Sequence, residues 1–222
     1  MVMPFLFTLK GAFTMANYCS NNIAFYSKDR TALQDLFTKI NDVLDNTNTH
    51  SIYQLMLKHG YSEETAKKIT DCRDYITYAE DNITDLPCGH SYFKIDTESA
   101  WQPNMTTFFY LLQDKYVNKI SLVYTSEEPG SGVFINTDVD GLFFTDRYKI
   151  DCCIDNNYFT YYFTDFTDVI EFIQEDYPKA GACIYDNPEE IRNKVITAYG
   201  SSNEDSFFYL DRFTCNYESR WN

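Results

Sequence analysis

Apolar residues recur along this chain with two periods, and the alternation between them sets out its elements. A strand is expected over 17–26, ending in the turn Ser27-Lys-Asp29. Leu33, Leu36, Phe37, Ile40 and Leu44 then recur at helical spacing and form one face of a helix that polar residues 45–49 close. Two short helices follow, 51–59 and 62–70, broken at Gly60, a position suited to a left-handed helix end. Strands at 75–80 and 91–97 are joined across 81–90. Met105, Phe108, Phe109, Leu112 and Tyr116 form the stripe of a second long helix, with Asn104 placed to cap it. A β-branched strand over 119–125 meets Glu127-Glu-Pro-Gly130, where Pro and Gly suit the centre of a type II turn.

From Gly132 the pattern is strand-rich, with runs at 133–136, 142–154 and 158–163. Asp138-Val-Asp-Gly141 and Asp155-Asn-Asn157 read as hairpin connections. A third helix over 165–177 carries Phe166, Val169, Ile170, Ile173 and Tyr177 on one face. A fourth, 188–199, has Asn187 as cap, Pro188 in its first turn and Gly200 as its stop. A closing strand is expected over 206–217. Strand, helix, strand, strand, helix, strand is the order of a ferredoxin-like split βαβ plait. The expected fold class is therefore α+β. A plait over 15–130 holds an inserted helical pair, 51–70, and 131–222 packs on it as an acidic antiparallel β-meander with helices. Residues 1–14 read as a dispensable extension.

Composition narrows what such a fold does. The 222 residues include 19 Tyr and 18 Phe, enough large rings for a well-filled core. Seven cysteines, an odd number in no close frame, read as free thiols in a reducing interior. The apolar run 2–9 has no positive charge before it, as a signal peptide would, and no run is as long as a membrane span. A cytoplasmic location with no membrane partner is expected. The net charge is −15, and 120–190 holds 15 Asp/Glu against Arg147, Lys149 and Lys179. That field repels phosphate, so direct nucleic-acid binding is disfavoured and a basic protein partner is favoured.

Three segments carry a resemblance. Met15-Ala-Asn-Tyr-Cys-Ser-Asn-Asn22, Ile95-Asp-Thr-Glu-Ser-Ala-Trp-Gln-Pro103 and Ser126-Glu-Glu-Pro-Gly130 are similar to segments of the YubB-like family, phage- and plasmid-borne proteins of unknown function. The resemblance covers about residues 15–150 and departs at 51–70 and over the C-terminal third. It implies a ferredoxin-like domain, a mobile-element origin and a start at Met15, and it supplies no catalytic residue.

Several constellations could carry chemistry. Glu98 and the pair Glu127 and Glu128 follow two plait strands whose ends are expected at opposite edges of the sheet, about 20 Å apart, too far for a shared site. Asp165, Asp168, Glu171 and Glu175 fall on the polar side of the third helix, as a solvated face or as a surface for a basic partner. Asp138 and Asp140 supply two acids of a calcium loop without its other ligands, so a turn is the simpler reading. Cys88 and His90 offer two zinc donors, with no second pair at matching spacing, and His50 and His59 fall on opposite helix sides. Gly130-Ser-Gly132 lacks the Lys-Ser/Thr and helix of a phosphate cradle. No metal or other cofactor is expected. Trp101 sits in a strand-to-helix turn, where its ring can plug the gap or present a binding surface. Three functions stay open: a non-enzymatic binding or inhibitory protein engaging a basic, nucleic-acid-binding host defence protein; a metal-dependent hydrolase using acids of the C-terminal half; and a structural accessory.

Overall fold

The central strand of the larger sheet is β1 (Tyr18–Ser27), which pairs antiparallel with β4 (Ser91–Ala100) on one side and β5 (Ser121–Glu128) on the other. The structure, a computed structural model, describes residues 18–70, 73–154, 156–200 and 206–215. Outside β4 lie β2 (Tyr75–Ala79) and the two-residue β3 (Thr84–Asp85). Outside β5 lies β6 (Val133–Asn136), giving the order β2-β4-β1-β5-β6. The chain is α+β, built on antiparallel sheets.

Strand alternation divides this sheet into two faces. Ile23 and Phe25 of β1 and their β4 partners Ile95 and Phe93 are fully buried on one face. Against them pack α1 (Arg30–Asn46), α2 (Ile52–Lys58), α3 (Glu63–Ile69) and α4 (Met105–Lys115). The Phe25 ring meets Phe93 at 5.3 Å and Phe108 at 5.6 Å between centroids, and Leu33, Leu36 and Ile40 of α1 close the core. The caps are local. Asp29, Ser51 and Ser62 each accept a backbone N–H of the following helix, and Gly60 takes φ +81° between α2 and α3.

The smaller sheet has the order β8-β7-β9, from β7 (Tyr148–Ile154), β8 (Asn157–Phe163) and β9 (Phe207–Arg212). One face carries Ile150, Cys152, Phe208 and Leu210 against α5 (Phe166–Asp176) and α6 (Pro188–Tyr199). Asn187 and Glu190 form the capping box of α6. The sheets are joined beyond β9, where Thr214 exchanges backbone hydrogen bonds with Phe134 and Asn136 of β6.

Five local expectations change. Phe109 is exposed, and Thr107 and Leu111 take the inner positions of α4, because the Thr107 hydroxyl donates to the Ile69 carbonyl at 2.6 Å. No type II turn follows β5. Pro129–Ser131 form a 3-10 turn whose N–H groups are held by the Glu128 carboxylate, and the left-handed residue is Gly132. Residues 138–141 connect no hairpin, since β6 and β7 lie in different sheets. Residues 142–147 are not strand. Asp138 accepts the N–H groups of Phe143 and Phe144, and the Asn136 amide donates to the carbonyls of Phe144 and Asp146, which folds the segment into a polar-braced loop. Finally, β9 pairs with β7 rather than with β8, so the second sheet is not a meander.

Candidate interaction surface

The helix α5 begins where the Asp165 carboxylate accepts the N–H groups of Thr167 and Asp168 at 2.8 and 3.0 Å. Val169, Ile170 and Ile173 fix its inner face in the core of the smaller sheet. At about 100° per residue, Asp168, Glu171 and Glu175 then fall within about 60° of one another on the opposite side. All four sequence-predicted acids are exposed. Among the described residues, Asp168, Glu171 and Glu175 enter no ion pair. Glu189 and Glu190, at the start of α6, are exposed as well. The arrangement is an exposed surface of negative charge.

Trp101 belongs to the larger-sheet region, and it is exposed rather than buried between sheet and helix. It follows the last residue of β4, in a left-handed turn with φ +66°, and its side chain is 42% exposed. Asn104 stands at the cap position of α4, yet its amide donates to Asp74 and caps nothing. The 101–104 turn is therefore held by polar contacts, among them Ser99 donating to the Gln102 carbonyl at 2.8 Å. The register puts exposed Tyr18 opposite Ala100, next to this turn.

The acids placed at opposite edges are in fact neighbours. Both β4 and β5 run antiparallel to β1, hence parallel to each other, and Glu98 and Glu127 flank Ser20 in one row. Two strand spacings separate them by about 10 Å. The pair is chemically unequal. Lys149, almost wholly buried between the sheets, lies 2.8 Å from Glu127 and 3.1 Å from Asp151. Burial by itself lowers the pKa of the Lys149 ammonium, and the two carboxylates outweigh it and hold the group above its usual range. This lysine is a charged clip between the sheets and no nucleophile.

The three segments quoted for the family resemblance meet at one end of the larger sheet. The buried Asn21 amide donates to Ser99 Oγ at 3.1 Å and accepts from Ser126 Oγ at 2.7 Å, so one side chain ties β1, β4 and β5 together. Beside it, burial and then the nearby Glu128 push the Cys19 thiol up to about 12, which keeps it protonated. Residues 15–17 of the first segment lie outside the described residues.

Cys88 Sγ and His90 Nδ1 are 3.4 Å apart at the surface. Among the described residues, no group of three or more His, Cys, Asp and Glu is placed to hold a metal ion. No helix is long and apolar enough to cross a membrane among them.

One cluster is invisible to spacing. His59 Nδ1 lies 2.8 Å from the Leu55 carbonyl, so it carries the proton and Nε2 accepts. The Tyr116 hydroxyl donates to Asp35 at 2.7 Å and also lies 2.7 Å from that Nε2, so its single proton can be given to one of the two at a time. Burial, the largest influence, lowers His59 to about 4. The cluster joins α1, α2 and α4 and pins the helical pair to the larger sheet. Its residues are 24 and 57 positions apart in sequence, so no local motif announces it.

No protein-family model matches the chain, and no curated protein or solved structure matches it.

Proposed function

We propose that the chain is a non-enzymatic binding protein whose α5 surface engages a basic protein partner. The observation that carries this reading is the stripe of Asp168, Glu171 and Glu175, exposed and without ion pairs among the described residues. A charge field of one sign, fixed on a rigid helix, steers an oppositely charged partner and sets its orientation. A protein that itself holds nucleic acid presents such a basic face, and a host defence protein of that kind is the partner class we favour. The order β2-β4-β1-β5, with α1 and α4 on one face, supports a ferredoxin-like split plait over residues 18–128 that α2 and α3 interrupt. The resemblance to YubB-like segments supports a mobile-element origin. The test is charge reversal of Asp168 and Glu175 to Lys, with binding measured as salt is raised. Binding that falls with salt in the parent and is lost in the variant supports the reading, and a variant that binds as the parent does overturns it.

A further inference from the structure

We propose that the outer edge of β8 is where two copies of this chain pair, antiparallel, about a two-fold axis at Thr160. The strand lies at the edge of the smaller sheet, and among the described residues no strand pairs with its outer side. Edge strands are ordinarily protected by Lys, Pro, a bulge or shortness. None of these protects β8. It is seven residues long, Asn-Tyr-Phe-Thr-Tyr-Tyr-Phe, in regular register with β7, and it holds no charge, Pro or Gly in a chain of net charge −15.

The sequence of β8 also reads nearly the same from either end. Antiparallel pairing about Thr160 sets Tyr158 opposite Tyr162, Phe159 opposite Tyr161, and Thr160 opposite itself. Aromatic pairs and Thr–Thr pairs are the favourable cross-strand combinations, and a two-fold axis makes each ring pair occur twice. The rings are available. Tyr158 is 62% exposed, Phe159 44% and Tyr162 46%. At about 200 Å² for each whole ring side chain, they offer on the order of 300 Å² per copy. With the edge backbone, that is a small interface, below about 1,200 Å² in total, so the dimer is weak and reversible.

Charge gives this pairing a sign of its own. The Phe172 ring packs on Tyr161 at 4.6 Å and on Phe163 at 5.4 Å, so the flank of α5 bearing Phe172 is the one beside β8. Asp168 and Asp176, four residues to either side of Phe172, share that flank. Two copies bring these acids together, and salt relieves their repulsion. The dimer tightens as salt rises, whereas binding to a basic partner loosens, which separates the two proposals.

Sedimentation velocity of the purified chain, across concentration and from about 0.05 to about 1 M NaCl, tests this. The expected result is a monomer–dimer equilibrium whose dimer constant strengthens at least about threefold over that range. Thr160→Lys sets like charges opposite each other at the axis and weakens the dimer at least about tenfold. Thr160 is exposed and lies outside the core of the smaller sheet, so the substitution leaves that core untouched and the melting temperature holds. Thr160→Cys provides a second reading, a covalent dimer on mild oxidation beyond any that the parent forms through its exposed Cys88 and Cys215. A chain that stays monomeric throughout overturns the proposal. So does a dimer that Thr160→Lys leaves intact, one that salt weakens, or a Thr160→Cys chain that gives no more cross-link than the parent.

Discussion

Residues 18–136 and residues 137–215 hold sixteen acids each, against ten and six Lys/Arg. The two regions dispose of those acids differently. In the first, ion pairs knit the helices to their neighbours, as in Lys58–Asp42 between α2 and α1, Lys39–Asp35 along α1 and Lys119–Asp29 at its start. In the second, Lys194 pairs with Asp186 and Lys149 with Glu127 and Asp151, and α5 has no ion pair among the described residues. Exposed pairs of this kind contribute little to stability, about 0–1 kcal/mol each. The contrast therefore concerns the charge outside the molecule, offset by more cations in the larger-sheet region than in the region that holds α5.

Stability should divide more evenly than charge. Phe25 and Phe208 are both fully buried, one in each core. Truncating either to Ala should cost about 3–5 kcal/mol by urea denaturation. A cost under about 1 kcal/mol at Phe208 alone would break the parity of the two cores. The joint comes next. Lys149→Ala leaves Glu127 and Asp151 facing each other without their shared cation and should cost about 3 kcal/mol. A separate unfolding step for the smaller sheet in that variant would show that the clip couples the two regions.

A third prediction belongs to the larger sheet alone. His59 is held neutral in the fold, at about 4 against 6.5 for the free group. The unfolded chain thus binds more protons between those values. Its contribution to stability is complete above pH 6.5 and is lost as pH falls towards 4, by on the order of 3 kcal/mol. In His59→Gln that part of the pH slope should flatten, and an unchanged slope would remove His59 as its source. The smallest effect is expected at Trp101→Ala, within about 1 kcal/mol, since the ring is 42% exposed. A larger loss would return the ring to the core.

Much of this architecture was legible because it is local. The stripe of Leu33, Leu36 and Ile40, the cap Asn187 and the left-handed Gly60 each depend on residues within one or two turns. What could not be read depends on contacts between distant segments. Asn136 and Asp138 fold residues 142–147 away from strand by taking their backbone groups. The Thr107 bond to Ile69 decides which side of α4 turns inward. The relative direction of β4 and β5 follows from both flanking β1, and it moved Glu98 and Glu127 from opposite edges into one row. Of the candidate surface, the α5 acids were legible from helical period alone, whereas the exposure of Trp101 was not, because a left-handed turn set it.

An effect of the α5 acids has to be separated from an effect of net charge alone. Asp168→Lys with Glu175→Lys alters the α5 surface, while Asp45→Lys with Asp81→Lys makes the same change in net charge at exposed sites of the larger-sheet region. Each variant and the parent are immobilised at equal density, and capture of basic proteins from a host lysate is quantified from about 0.05 to about 0.5 M NaCl. The expected result is at least about a tenfold loss for the α5 variant at low salt, with the other variant close to the parent. Equal losses in both variants, or none in either, would contradict it.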